Sequence, residues 1–243
     1  MTNPTVEHQP PETSALSMIA TLGGIAMLSG FLVVLVFQIT KPMIEENQRQ
    51  AIAKAISKVI PGAIAHRQFL IADNGVVPAA KDAKGTIVYA GYDAKGTLLG
   101  VAAKAGAQGY ADIIHLLYGY DYTCECIRGI KVLKTAETPG LGDKIITDAA
   151  FVKNFEALDA KLNASGDALE NAIVTVKHGA KRHEWEIDAI SGATISSRAV
   201  GKALNNSARS LLPKLLPHID VLKRGGADIG EIDSGKTQQG SAQ

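Results

Sequence analysis

Between Glu12 and Lys41 the chain carries no charged side chain. Within that interval Ala15 to Phe37 is Leu, Ile, Val, Met, Ala, Gly and Phe, broken only by Ser17, Thr21 and Ser29. No other feature narrows the fold so far. About 20 apolar residues cross the hydrocarbon core of a bilayer as a helix, and a slightly longer run does so with some tilt. The competing readings are a buried globular helix and a cleaved signal peptide. Against the second, the first residues hold no Lys or Arg, and Gln38-Ile39-Thr40-Lys41-Pro42 lacks a small-x-small cleavage site. The segment therefore reads as an uncleaved single-pass anchor over 15–39, behind an N-terminal tail of 1–14. Lys41, Arg49, Lys54 and Lys58 follow it and no basic residue precedes it. Charge alone thus places the large domain in the cytoplasm, although long domains cross largely regardless of flanking charge.

Beyond the anchor the chain has the size of one globular domain. A net charge of +1 gives no field that would gather nucleic acid, and aromatics at 5% are too few for a base-stacking platform. Nucleic-acid binding is excluded from the expected functions. Glu45 to Ile60 predicts a helix with a stripe of Ile52, Ala55, Ile56 and Val59, stopped by Pro61-Gly62. It belongs to a membrane-proximal segment of 40–62. Asp73 to Gly85 reads as a loop, Thr86 to Tyr92 and Leu98 to Lys104 as strands, and Gly106 to Ala111 as a flexible loop. Tyr118, Tyr120, Tyr122, Cys124 and Cys126 alternate, as on one face of an extended chain. Ala149 to Leu162 predicts a helix, Ile173 to Val176 and Glu184 to Ile187 short strands. Strands mixed with a few helices, without regular βαβ alternation, make the fold class α+β. The domain is expected over 63–223, with a Gly-, Ser- and Gln-rich disordered tail over 224–243.

Two small turns carry the chemistry. Asp188-Ala189-Ile190-Ser191-Gly192-Ala193-Thr194-Ile195-Ser196-Ser197 precedes an amphipathic helix whose apolar stripe is Val200, Ala203, Leu204, Ala208, Leu211 and Leu212. A helix start leaves backbone N–H groups without partners and suits a phosphate. Gly192 and Ala193 permit close backbone approach, and Thr194 adds a hydroxyl. The plain alternative is an ordinary Ser/Thr N-cap. Glu137-Thr138-Pro139-Gly140-Leu141-Gly142 is a Pro-Gly turn that needs no ligand to explain it.

Taken together, Ser-Gly-Ala-Thr followed by Ser-Ser, the Glu-Thr-Pro-Gly-Leu-Gly turn and the single anchor resemble the FMN-binding domain family of membrane redox complexes. Within it they are similar to the G subunits of Rnf-type ferredoxin:NAD oxidoreductases, with the C subunits of sodium-pumping NADH:quinone reductases as near relatives. The resemblance implies one transmembrane helix followed by a mixed α+β FMN-binding domain on the outer face of the cytoplasmic membrane. It implies FMN joined to Thr194 by a phosphoester bond, within the recognition segment Asp188, Ser191, Gly192 and Ala193. Ile195 departs from the family, which often has a hydroxyl there. A separate flavin transferase, using FAD and a divalent metal, is implied because a Thr hydroxyl is a weak nucleophile with no evident base beside it. Glu137, Thr138, Leu141 and Gly142 are implied to line the flavin ring and ribityl chain. The implied role is non-catalytic electron relay coupled to sodium or proton movement, with the other membrane and peripheral subunits and membrane lipid as partners. A flavin-free bitopic scaffold is the reading from another class.

Cys124-Glu125-Cys126 lies outside this resemblance. Residues two apart on a strand form a disulfide awkwardly, so two free thiols lead over a strained disulfide or half of a shared metal site. No zinc or haem spacing accompanies them, and the six histidines show no ligand pattern. His178 and His183 are expected to be solvated beside a hairpin turn, with Lys177, Lys181 and Arg182.

Overall fold

The computed structural model describes residues 14–72, 75–80 and 85–226. The expectations for the tail up to Thr13, for residues 73–74 and 81–84, and for the chain after Gly226 lie outside the described residues. The chain divides into two compact units, one ending at Gln50 and the other beginning at Ala51.

The first unit is helical. Helix α1 covers Ala15–Val59 and has a mean hydropathy of 2.4 over its most apolar window, none of it buried within the chain. An all-round apolar helix with no protein over it is suited to lipid rather than water. Two of its hydroxyls are satisfied within the helix: Thr21 Oγ1 donates to the Ser17 carbonyl, and Thr40 Oγ1 to the Val36 carbonyl at 2.8 Å. Helical structure continues through Pro42, so the apolar segment and the stripe of Ile52, Ala55, Ile56 and Val59 belong to one continuous helix.

In the second unit seven strands form one antiparallel sheet. They are β1 (Ala65–Ala72), β2 (Gly75–Pro78), β3 (Thr86–Tyr92), β4 (Leu98–Gln108), β5 (Ile113–Asp121), β6 (Cys126–Lys134) and β7 (Leu158–Asp159), in the order β2-β1-β3-β4-β5-β6-β7. Two regions read as loops from sequence are strand: β2 occupies 75–78, and β4 runs on through Gly106 to Gln108, paired with Ile113. Strand alternation then gives the sheet two apolar faces. Val88, Ala90, Tyr92, Val101, Leu116, Tyr118 and Tyr120 turn toward helix α4 (Thr194–Leu215), which brings Val200, Leu204, Ala208, Leu211 and Leu212 into the same core. Tyr89, Ala102 and Leu117 turn the other way, onto Ala55, Ile56 and Val59 at the end of α1. Gly119 and Gly129 face each other across β5 and β6 beneath that end. A Cβ on Gly119 would collide with the Val59 carbonyl, so the backbone contact requires glycine there.

Helix α2 (Lys144–Thr147) and helix α3 (Ala149–Lys153) are short. The helix expected over 149–162 stops at Lys153 because Asn154 Nδ2 takes the carbonyls of Ala150 and Phe151 at 3.4 and 3.0 Å. Leu158 then pairs with Ile127 as strand. Strands β8 (Val174–Val176) and β9 (Glu186–Asp188) pair in parallel, so the segment between them is a crossover rather than the expected hairpin turn. The chain stays ordered beyond residue 223: a 3-10 turn at Leu216–His218 leads into helix α5 (Ile219–Arg224). Tyr92 Oη donates to the Leu222 carbonyl at 2.6 Å, and Arg67 reaches the Gly225 carbonyl at 2.9 Å. Burial pushes the Tyr92 phenol up to about 12, so it stays a donor across the usable pH range. Tyr92→Phe is expected to lower stability by about 1 kcal/mol with no change of fold, read by thermal unfolding.

Cys124 and Cys126 form a disulfide, not the two free thiols expected. Strand β5 ends at Asp121, so the alternation does not extend to the cysteines. Residues 122–125 make a tight turn in which Glu125 adopts φ 53°. Two residues of extended chain put Cα atoms roughly 6.6 Å apart; the turn shortens this to 5.2 Å, within disulfide range.

Candidate functional site

Glu137, just past the end of β6, is only 6% exposed. Its side chain turns inward and ties three segments together. Oε1 accepts the backbone N–H of Tyr110 at 2.9 Å and of Ala111 at 3.1 Å, while Oε2 accepts the Ser196 hydroxyl from the first turn of α4. Two glycines make room for this carboxylate. A Cβ on Gly109 would stand 2.5 Å from Oε1, and one on Gly142 2.6 Å from Oε2 and 2.7 Å from Ser196 Oγ. A carboxylate that accepts two backbone N–H groups and a buried hydroxyl at once is among the stronger hydrogen-bond arrangements. The loop before β5, the Glu-Thr-Pro-Gly-Leu-Gly turn and the helix start are thereby fixed to one another.

The second turn is closed by Ser197, whose buried hydroxyl accepts the Ile190 N–H at 3.1 Å and donates to the Ala193 carbonyl at 2.9 Å. Gly192 stands at φ +81° with nothing near the place of a Cβ, so conformation rather than space selects glycine. The N-cap is Ala193, without a side-chain cap. This corrects the reading of the motif as an ordinary Ser/Thr cap: Thr194 is the first helical residue, half-buried, and its hydroxyl does not serve the helix. First-turn N–H groups have no intrahelical acceptors, so the positive end of α4 opens beside that hydroxyl.

Between the two turns lies a hollow of about 370 Å³, within the range of small-molecule sites. Tyr110, Leu141 and Ile195 stand on its rim, 69%, 52% and 54% exposed. Large apolar side chains gathered round a concavity mark a surface made to be covered. The sequence-predicted residues Glu137, Thr138, Leu141, Gly142, Gly192, Ala193 and Thr194 all line it. Ser191 does not; it faces a neighbouring hollow of about 220 Å³ with Lys144, Asp148, His178 and Asp188. Both oxygens of Glu137 are engaged by the protein itself, Oε1 by two backbone N–H groups and Oε2 by Ser196. Ser196 was missed as a site builder, whereas Tyr110 belongs to the glycine-tyrosine loop that the family resemblance places near the flavin. Nothing local distinguishes Ser196 from its hydroxyl neighbours, and its partner is 59 residues away.

Elsewhere His178 and His183 are exposed, as expected, and each has a neighbour. His178 Nδ1 lies 3.0 Å from the Ala189 carbonyl and 3.6 Å from Asp188 Oδ2, and His183 stacks on Trp185 at 4.4 Å. Among the described residues no three His, Cys, Asp or Glu side chains cluster to hold a metal.

Residues 109–209 match the FMN-binding domain family, and residues 20–59 match the RnfG N-terminal region. The first match contains both turns and the Tyr110 loop. The G subunit of an ion-translocating oxidoreductase complex from Vibrio vulnificus is 31% identical over 200 residues, covering 80% of this chain and 84% of that one. The G subunit of the Na(+)-translocating ferredoxin:NAD(+) oxidoreductase complex from Acetobacterium woodii is 35% identical over 111 residues, 45% and 48% of the two chains. Among solved structures, Shewanella oneidensis NqrC shares the fold with a TM-score of 0.55 at 16% identity, covering 75% of this chain and 99% of that one. The α+β domain behind one long apolar helix is thus a fold already seen in that protein. With the turns, the hollow and the likeness along most of the chain agreeing, the protein belongs to the family of G subunits of ion-translocating oxidoreductase complexes.

Proposed function

We propose that the chain is the single-pass electron-relay subunit of an Rnf-type complex, carrying FMN on Thr194 through a phosphoester bond. The observation that carries this reading is the hollow itself. Two turns distant in sequence meet there, and the one hydroxyl at the helix start that performs no structural task points to it. The residues fit the group. Amides of the first turn of α4 and the helix dipole favour a phosphate, and Leu141, Ile195 and Tyr110 offer apolar cover for a ring. Thr138 and the backbone of Gly142 offer polar partners at the hollow's edge. When bound, FMN supplies one- and two-electron redox chemistry. The chain's own residues position it, exclude water and anchor it; none serves as an acid–base catalyst.

Attachment requires a flavin transferase. The Thr194 oxygen forms a bond to the FMN phosphorus of FAD, the phosphoanhydride bond breaks, AMP leaves, and the hydroxyl proton passes to solvent. Electrons run from ferredoxin to NAD through the other membrane and peripheral subunits, coupled to sodium or proton movement, with α1 held in lipid. The domain lies on the outer face of the cytoplasmic membrane. The Cys124–Cys126 disulfide supports that side against the flanking-charge rule, since disulfides persist in oxidising compartments. A periplasm-active reporter fused to the C-terminus is expected to be on and a cytoplasm-active one off; the reverse pattern would overturn the orientation. Co-expression with a competent flavin transferase, followed by denaturing electrophoresis under ultraviolet light, tests the central reading. A fluorescent band that survives denaturation supports it, and a dark band rejects it.

A further inference from the structure

The Cys124–Cys126 pair has no part in the flavin hollow. Tyr110 stands before β5 and the cysteines after it, and the nine residues of that strand span about 26 Å, so a flavin bound at Tyr110 does not touch them. Stability does not account for the pair either. A crosslink restricts the unfolded chain in proportion to the loop it closes, and residues two apart close almost none. What the bond does impose is local. Glu125, held between the two sulfurs, is the one non-glycine residue with positive φ among the described residues. Side chains with a Cβ are disfavoured in that region. The two sulfurs also differ: Cys126 is 4% exposed, whereas Cys124 is half-buried and reachable. Strained or accessible disulfides are the labile ones, and buried closed-loop disulfides the inert ones.

We propose that Cys124 and Cys126 form a reducible dithiol/disulfide switch on the β5–β6 turn, opened by exchange with a dithiol reductant that attacks Cys124. The reductant's thiolate bonds to Cys124 Sγ, the Cys124–Cys126 bond breaks, and Cys126 leaves as a thiolate that takes a proton from water. The reductant's second thiolate then attacks the mixed disulfide, Cys124 leaves and is protonated, and the reductant departs as its own disulfide. Two electrons and two protons pass from dithiol to disulfide. The consequence falls on β7. That strand is two residues long, pairs with β6 at Cys126 and Ile127, and is followed by Ala160, whose N–H donates to the Glu125 carbonyl at 3.1 Å. Opening the bond frees Glu125 to leave the left-handed region, and the carbonyl holding Ala160 moves with it.

The test uses the full chain in detergent and thioredoxin lacking its resolving cysteine as the probe. A stable mixed disulfide is expected on Cys124, exceeding that on Cys126 by about tenfold, and none on Cys124→Ser. After reduction, amide exchange at Ala160 is expected to quicken by about tenfold while that at Ser196 does not change. Because neither readout involves flavin, the result stands apart from the electron-relay reading. Cysteines recovered as free thiols from oxidising membranes would overturn the proposal. So would a bond that resists both the probe and millimolar reduced glutathione in the folded chain yet opens once the chain is denatured.

Discussion

Thr194→Ala is expected to abolish covalent flavin completely while leaving the fold unchanged. The two halves of that expectation have separate causes. A phosphoester needs the Thr194 oxygen, and alanine has none. Stability is spared because the N-cap is Ala193 and no side-chain cap is lost with the hydroxyl; alanine is also the better helix former, by a few tenths of a kcal/mol. Thermal unfolding of the variant is therefore expected within about 0.5 kcal/mol of the parent, with in-gel fluorescence gone. Ser191→Ala is the informative control. Its hydroxyl lies three residues away in the same motif but faces the neighbouring hollow, so fluorescence is expected to persist. Retained fluorescence in Thr194→Ala would move the acceptor to another hydroxyl. Loss in both variants would mean that the transferase reads the segment rather than the position.

The alanine N-cap marks where single-sequence reasoning reached its limit. Ser and Thr before an amphipathic stripe are the usual signature of a cap, and four such hydroxyls stand in this motif. What distinguishes them is three-dimensional. Ser197 closes the turn, Ser196 serves Glu137, Ser191 faces the neighbouring hollow, and Thr194 lines the larger one. The anchor was legible because length and absence of charge are local properties. Strand β3 and the stripe of α4 were legible because period and burial agree there. The segment after Ala149 misled because Phe151, Phe155, Leu158 and Leu162 do fall at helical spacing. Asn154 ends the helix and Leu158 joins a strand, a tertiary contact overriding local periodicity. The disulfide misled for a related reason. Extended backbone would have held the two Cα atoms at the far edge of the disulfide range, and the turn at Glu125 supplies the shortening that a strand cannot.

Removing the Glu137 carboxylate is expected to damage both stability and flavin attachment. In Glu137→Ala the hydroxyl of Ser196 remains buried without its acceptor, and the N–H groups of Tyr110 and Ala111 lose theirs. Unsatisfied buried donors cost about 1–3 kcal/mol each. Tyr110 and Ala111 lie at the surface, where water can replace part of the loss, so about 3 kcal/mol overall is the expected penalty. In a domain of this size that lowers Tm by roughly 6–12 °C. The flavin effect follows from position, not contact. With Gly109 and Gly142 no longer packed on the carboxylate, the Tyr110 loop and the Leu141 turn lose their common tie to α4. Covalent flavin is then expected to fall several-fold even at temperatures where the variant is folded. Glu137→Gln separates the roles. Its amide oxygen still accepts the two N–H groups, and its NH₂ can donate to Ser196 Oγ, so about 1 kcal/mol and a small flavin deficit are expected. A Glu137→Ala chain that melts with the parent and flavinylates normally would show that the hollow is held together without this carboxylate. A Gln variant as damaged as Ala would show instead that the charge, rather than the hydrogen-bond geometry, is what the site requires.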